Sequence, residues 1–475
     1  NTYSTVNKIG LLSYLGRINY SYKNKYLLSA SFRADGSSKF APDRKWGSFP
    51  SLSLGWIASK EKFLQSVSWI DNLKFRASYG ATGNNNISDF LWLDQLYAAN
   101  YPTNSGNGTT TQGLIPSSTI LSNPSITWER TFSYNGGLDL TLFKNAVTIG
   151  LDVYRSKTDH LLLLQSALGI TGVPQIINNI GRLQNDGIEL EITTNNIRNK
   201  NFTWTTSGNI AHTQNKLLEL GNETQLLNTG ERQDVYLNKV GGPLIQYFNF
   251  KTDGIWLSQN DINVAKAKGL TSPLSGYFAP GALKFADVNG DNVIDLNDRV
   301  VIGNPYPDFT WGITNNFSYK GVDLSFTFQG VQGGQVLNGD AFYNEARKYN
   351  RAFNTNRWIS PANPGDGKTP YFTNGYTNAW TQSDYIVQDA SYYALREVLL
   401  GYTLPAKWVK KISLNKVRFY FSAQNLFYHS AKNYIGINPE ARNNGGSYAS
   451  PLLDGYSRGA FPINQTFLFG IDLNF

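Results

Sequence analysis

The chain has 475 residues, 14% of them aromatic, with 42 Lys and Arg against 34 Asp and Glu, a formal charge of +8, and no Cys or Met. Without Cys there are no disulfides and no thiol chemistry, and the positive charge is spread along the chain without the cluster that would point to nucleic acid. A mean hydropathy of −0.34 and the lack of a long apolar run exclude a membrane-spanning helix, although strands that alternate apolar and polar residues escape that test.

Alternation is what the chain offers, from its beginning to its end. Side chains point to opposite faces along a strand, so apolar residues at every second position predict a strand with one apolar face. Tyr14, Gly16, Ile18, Tyr20 and Tyr22 oppose Arg17, Asn19 and Ser21; Tyr26, Leu28, Ala30, Phe32 and Ala34 oppose Ser29, Ser31 and Arg33. Leu73, Phe75, Ala77 and Tyr79 follow, then Val147, Ile149, Leu151 and Val153. Ile188, Leu190 and Ile192 oppose Glu189 and Glu191, and Val322, Leu324, Phe326 and Phe328 oppose Asp323, Ser325, Thr327 and Gln329. Val417, Phe419, Phe421 and Ala423 oppose Arg418, Tyr420, Ser422 and Gln424. In the last strand Phe467, Phe469, Ile471, Leu473 and Phe475 share a face opposite Asp472 and Asn474.

A soluble sandwich alternates too, with its apolar faces packed together. Three features favour lipid instead. Many aromatics fall near strand ends, as the interfacial girdles of a membrane barrel require. Short turns fall at 23–25, 144–145, 197–201 and 320–321, with a Pro-containing one at 404–415. Long Gly/Asn/Pro-rich connections fall at 81–126, 157–181, 257–309, 331–390 and 427–465. Short turns face the periplasm and long loops the outside in such barrels. The expected fold is therefore all-β, a transmembrane antiparallel up-and-down β-barrel. Tracing strand directions from both ends leads us to expect two strands between 216 and 309, one around 243–256. The total is then roughly fifteen strands, against about 22 in plugged outer-membrane transporters. Residues 1–475 are thus expected to be the C-terminal portion of a large plugged barrel, with the plug domain and N-terminal strands outside this chain.

One loop has the oxygen spacing of a calcium site. Asp287, Asn289, Asp291, Asp295 and Asp298 occupy the first, third, fifth, ninth and twelfth positions of an EF-hand-type loop, and Val293 offers its carbonyl at the seventh. Position six is Asn292 rather than Gly, a residue that tolerates the left-handed conformation, and position twelve is Asp rather than Glu. Ca²⁺ is the cofactor this spacing predicts, against the alternative of a metal-free acidic turn. Enzyme chemistry finds no comparable support. His160, His212 and His429 lie on or beside different strands and form no HxH or HxxxH pair. Glu189 and Glu191 are expected on the polar face, paired with Arg, and a glycosidase role would need a partner on a second strand. No GxSxG, P-loop or Rossmann fingerprint occurs in context.

Eight segments in order carry a resemblance. They are 11–25 (LLSYLGRINYSYKNK), 26–49 (YLLSASFRADGSSKFAPDRKWGSF), 178–191 (NNIGRLQNDGIELE), 284–309 (KFADVNGDNVIDLNDRVVIGNPYPDF), 393–405 (YALREVLLGYTLP), 419–426 (FYFSAQNL), 436–442 (GINPEAR) and 468–475. Together they resemble the SusC-like (SusC/RagA) branch of the TonB-dependent outer-membrane transporters of Gram-negative bacteria. The resemblance implies active import of oligosaccharides or peptides rather than catalysis. It also implies a SusD-like surface lipoprotein as lid, and energy from TonB through an N-terminal part outside these residues. Trp92, Tyr97, Tyr101, Trp380 and Tyr448 are the loop aromatics expected to meet substrate or lid, with loop packing as the plainer role for each. The alternatives are a TonB-dependent siderophore-type receptor, a passive porin, or a soluble calcium-dependent carbohydrate-binding module.

Overall fold

The computed structural model describes residues 8–94, 96–102, 110–116, 119–230, 233–341, 356–371, 382–412, 414–442 and 450–475. These residues form a 14-stranded sheet in which thirteen strands follow one path in chain order. The path runs β1 (Leu11–Tyr22), β2 (Tyr26–Ser37), β3 (Trp46–Ile57), β4 (Ile70–Asn84), β5 (Glu129–Leu142), β6 (Val147–Ser166) and β7 (Gln175–Arg198). It continues through β8 (Phe202–Leu220), β9 (Pro307–Tyr319), β10 (Val322–Gly333), β11 (Tyr392–Thr403), β12 (Lys416–Ser430) and β13 (Thr466–Asn474). The short strand Ile120–Leu121 joins off the path, parallel to the start of β7. The chain divides into two compact units, Asn1–Ile188 with Asn215–Thr224, and Glu189–Gln214 with Gln225–Phe475.

In the first unit β1 to β6 pair antiparallel, each with the next. Pro50 lies inside β3 without breaking the sheet. It faces Phe32 of β2, and the β3–β4 ladder begins only at Ser51, so the missing N–H falls where no partner needs it. Lys23 and Asn24 turn β1 into β2 with φ of +52° each, and Lys144 and Asn145 turn β5 into β6 with φ of +58° and +62°. Both turns lie where the sequence places them. The connection 157–181 does not: β6 and β7 run 20 and 24 residues and leave only 167–174 between them. A strand needs only about 9–11 residues to cross a bilayer, so these two continue well past the apolar band.

In the second unit β8 pairs directly with β9, Ala211 opposite Thr310 and Phe202 opposite Tyr319. The two extra strands expected between 216 and 309 are therefore absent from the main sheet among the described residues. Zero strands satisfies the up-down count as well as two. The stretch forms elements of its own within the second unit. Gln225–Thr229, Val235–Lys239, Gln246–Phe250 and Arg299–Gly303 form a four-stranded sheet, and Thr252–Ile255 pairs with Leu283–Phe285. Helix α1 (Gln259–Ala267) starts at Ser258, whose hydroxyl accepts from the Asp261 N–H as an N-cap should. Phe250, Ile255, Trp256, Ile262, Tyr277, Leu283, Phe285 and Ile294 bury one another in a separate core.

Large side chains on the apolar face of the main sheet stand exposed among the described residues. Phe419 is 45% exposed and Phe469 80%, although Phe421 lies 4.8 Å from Phe469 across β12 and β13. Phe467, Ile471 and Leu473 are exposed beside them. Apolar side chains in such numbers on one face, with polar ladders on the other, fit lipid and not a sandwich core.

Candidate functional site

The polar face is built from short hydrogen-bonding side chains at strand positions of one parity. In the second unit Thr193 meets Ser207 at 3.1 Å and Thr314 meets Thr327 at 2.9 Å. A 560 Å³ cavity opens on this face, lined by Glu191, Asn209, Thr314, Thr327, Gln329 and Tyr392 among others. In the first unit Ser31 bonds Ser51, Thr131 bonds Thr158 and Ser133 bonds Ser156, at 2.7, 2.8 and 3.0 Å.

A β-bulge adds a cation beside the cavity. The β10–β11 register shifts between Thr327 and Phe328, leaving Arg396 as the extra residue between Leu395 and Glu397. A bulge turns its residue out of the alternation, and Arg396 lies over the Tyr392 and Tyr428 rings at 5.4 and 5.6 Å. Those rings stack on each other at 5.2 Å. Arg396 donates to Asn425 at 3.0 Å, and it pairs with Glu440. Three separated segments, LREV, AQNL and NPEAR, thereby converge on one guanidinium. Sequence reasoning missed Tyr392, Tyr428 and Arg396. The signal was the adjacent charges Arg396-Glu397, which break the period of two inside an otherwise regular strand.

Other charges on the polar face satisfy one another across strands. Arg76 holds Asp139 and Asp152, both at 2.9 Å, and Arg418 holds Asp323 at 2.6 Å and Asp472 at 3.4 Å. Glu189 and Glu191 depart from expectation, since neither pairs with an Arg among the described residues. Glu191 shares its cavity with Asn209, Thr314 and Gln329, which offer amides and hydroxyls rather than a cation. The three His lie on β6, β8 and β12. His212 meets the Asp308 carbonyl, and His429 lies 5.0 Å from Tyr393 on the apolar face.

The 287–298 loop sits on the small core of the second unit. Its backbone is pinned by Ile294 N–H to the Thr271 carbonyl and by the Ser272 hydroxyl to the Ile294 carbonyl, at 2.9 and 2.7 Å. Asn292, at position six, has φ of +62°. The carboxylates are turned onto loop amides. Asp287 accepts from Gly290 and Asn292, Asp291 from Val293, Asp295 from Asn297, and the buried Asp298 from Val288 and Asp295. Asn289 accepts from Asp291. As the side chains stand, no group of three or more His, Asp or Glu among the described residues is placed to hold a metal.

The loop aromatics separate. Trp92 packs against the first unit's cluster of Phe40, Phe49, Ile87, Ile126 and Trp128. Tyr97 is exposed and lines a 200 Å³ cavity with Asp89, Phe90 and Asp94. Tyr101 lies on the strand Leu96–Pro102, which pairs with Thr110–Pro116. Trp380 and Tyr448 fall outside the described residues.

Comparison with known proteins adds the lineage. Residues 1–260 match the model of the "TonB dependent receptor-like, beta-barrel" family. TonB-dependent receptor P26 of Formosa agariphila is 33% identical over 98% of this chain and 46% of its own length. TonB-dependent receptor SusC of Bacteroides thetaiotaomicron is 31% identical over 98% of this chain and 44% of its own. The chain thus spans about half the length of the curated relatives it matches. The RagAB peptide transporter structure superposes with a TM-score of 0.78 at 22% identity, over 98% of this chain and 48% of that one. A β-barrel of this family lies in the outer membrane of a Gram-negative bacterium, which sets aside the soluble carbohydrate-binding alternative. With the family model covering more than half of the sequence, and the exposed apolar face and the polar ladders both in place, the chain belongs to the TonB-dependent receptor-like β-barrel family.

Proposed function

We propose that the protein carrying this chain actively imports oligosaccharides or peptides across the outer membrane, under a SusD-like lipoprotein lid and with energy delivered by TonB. The observation that carries this reading is the polar face of the second unit. Hydroxyls and amides line a 560 Å³ cavity, and beside it Tyr392 and Tyr428 stack under Arg396. Aromatic faces suit sugar rings or peptide side chains, and Asn, Gln and Thr suit hydroxyls and amides. The RagAB peptide transporter, whose fold this chain shares, is named for a peptide solute, which supports the peptide part of the reading.

Two experiments test it. The barrel should co-purify with a surface lipoprotein in mild detergent, and deletion of that lipoprotein gene or of TonB should abolish uptake. Uptake that survives both deletions removes the reading and favours a passive pore; loss with TonB alone favours a siderophore-type receptor. Tyr392→Ala should slow uptake about two- to tenfold, as expected for losing an aromatic contact worth about 0.5–1.5 kcal/mol.

We also propose that the 287–298 loop takes Ca²⁺ through Asp287, Asn289, Asp291, Asp295 and Asp298 with the Val293 carbonyl. The left-handed Asn292 at the sixth position supports it. A carboxylate oxygen bonded to one amide keeps acceptor capacity. Terbium luminescence on the purified protein should saturate and be displaced by Ca²⁺, and Asp291→Asn should weaken it. No luminescence above a loop-free control ends this proposal.

A further inference from the structure

We propose that the short-turn rim of the second unit is a binding belt for anionic phospholipid headgroups in the leaflet facing the periplasm. The observation is a charge asymmetry between the two ends of the sheet. Three connections lie side by side at this end: 199–201 between β7 and β8, 320–321 between β9 and β10, and 404–415 between β11 and β12. They are hydrogen-bonded into one edge, Lys320 N–H to the Asn201 carbonyl at 3.3 Å and Thr403 N–H to the Gly321 carbonyl at 2.7 Å. They carry Lys200, Lys320, Lys407, Lys410 and Lys411 and not one carboxylate. Arg198 and Lys416 flank them at strand ends.

The cations are exposed and lack acidic partners. Arg198, Lys200, Lys407, Lys410, Lys411 and Lys416 are all exposed, and none makes an ion pair among the described residues. Among the described residues Lys320 lies over the Tyr319 ring, at 5.2 Å, and meets no carboxylate. The opposite end of the same unit carries both signs, with Asp253 against Lys284 and Arg442 against Asp454. The first unit repeats the bias at its short-turn connections 23–25, 58–69 and 143–146, which hold Lys23, Lys25, Lys60, Lys62 and Lys144 against Glu61 alone.

The segment 404–415 shows how the belt would sit. Ala406–Val409 forms one helical turn after Pro405. Val409 is buried, while Trp408 is 57% exposed between Lys407 and Lys410. An indole beside Lys side chains is the arrangement that settles at a lipid–water boundary, ring at headgroup depth and ammonium groups on phosphates. The apolar face of the adjoining strands fixes the depth of this rim at the end of the hydrocarbon layer. An uncompensated positive edge held there meets phosphate before it meets anything else, so charge complementarity selects an anionic lipid over a protein partner.

The test uses the full-length protein in phosphatidylcholine vesicles with and without phosphatidylglycerol. Brominated chains on either lipid quench tryptophan, and subtracting a Trp408→Phe variant isolates the Trp408 signal. Trp408 should be quenched, with phosphatidylglycerol preferred at least about fivefold, the effect of one lysine near an anionic surface. Replacing Lys407, Lys410 and Lys411 together by Gln should remove the preference, replacing them by Arg should keep it, and Lys268→Gln on the opposite end should leave it unchanged. The proposal is overturned by an unquenched Trp408, by equal affinity for the two lipids, or by a preference that survives the triple Gln variant. It is also overturned if that variant instead loses co-sedimentation with peptidoglycan. None of these readouts involves transport, so their failure is separate from failure of the import reading.

Discussion

Gly401 has no side chain where Arg418 must pass. A Cβ there would lie 2.5 Å from the Arg418 guanidinium and 2.6 Å from Asp323, so the glycine opens the route from β12 over β11 to β10. Gly137 does the same on β5, where a Cβ would sit 2.7 Å from Arg76 Cζ. Either Gly→Ala change should therefore cost about 1–3 kcal/mol, typical of overpacking, read as a lower unfolding midpoint in lipid. Removing Arg76 or Arg418 alongside should recover much of that loss. A different charge acts at the rim, where Glu61 accepts from Tyr26 and Lys25 at 2.7 and 3.0 Å. The Tyr26 hydroxyl first, and Lys25 next, lower the Glu61 carboxyl below its ordinary 4.5. A lowered pKa stabilises the fold above 4.5, and the gain fades as pH falls through the folded-state value. The difference in thermal midpoint between wild type and Glu61→Gln should thus be constant from neutrality to about pH 5 and shrink below 4.5. A difference that grows in acid would reverse the assignment.

Strands tell the same story over a longer reach. Phe419→Arg should cost about 2–4 kcal/mol in lipid, because a cation on the outward face is left in hydrocarbon; folding titrations into vesicles measure it, and a neutral result would place that face elsewhere. The alternation that identifies Phe419 is local, and this is why faces and short turns were legible in the sequence. What alternation cannot report is which sheet a strand joins. Gln246–Phe250 reads as a membrane strand from its aromatics, yet it belongs to the small sheet of the 225–306 connection. Nor does it report length. Leu161 to Leu164 interrupt the period, and the stretch 157–181 reads as loop although β6 and β7 extend through most of it. The Arg396 bulge was hidden for the opposite reason, since one extra residue looks like a pattern error until the partner strands are in view. The 287–298 spacing, by contrast, was visible at once because the oxygen-bearing residues of one loop follow each other in sequence.

At the scale of the molecule the polar connections are not passive loops. The 225–306 segment buries Ile262 and Ile294 completely, and Ile262→Ala should cost about 2–5 kcal/mol of that local core. The expected result is protease cleavage confined to 225–306 while the main sheet keeps its heat-resistant migration; simultaneous loss of both would mean one cooperative unit. The strands on either side of this segment are direct neighbours as far as Ala211 and Thr310, and the first of them then runs on unpaired with the second to Leu220. A stretch with its own core, tied to its neighbours through Gln335, Asp384 and Leu452, is a folded body rather than slack chain. Residues on its surface can change without touching the alternation of the strands that flank it, so the surface offered to water and the face offered to lipid answer to separate constraints.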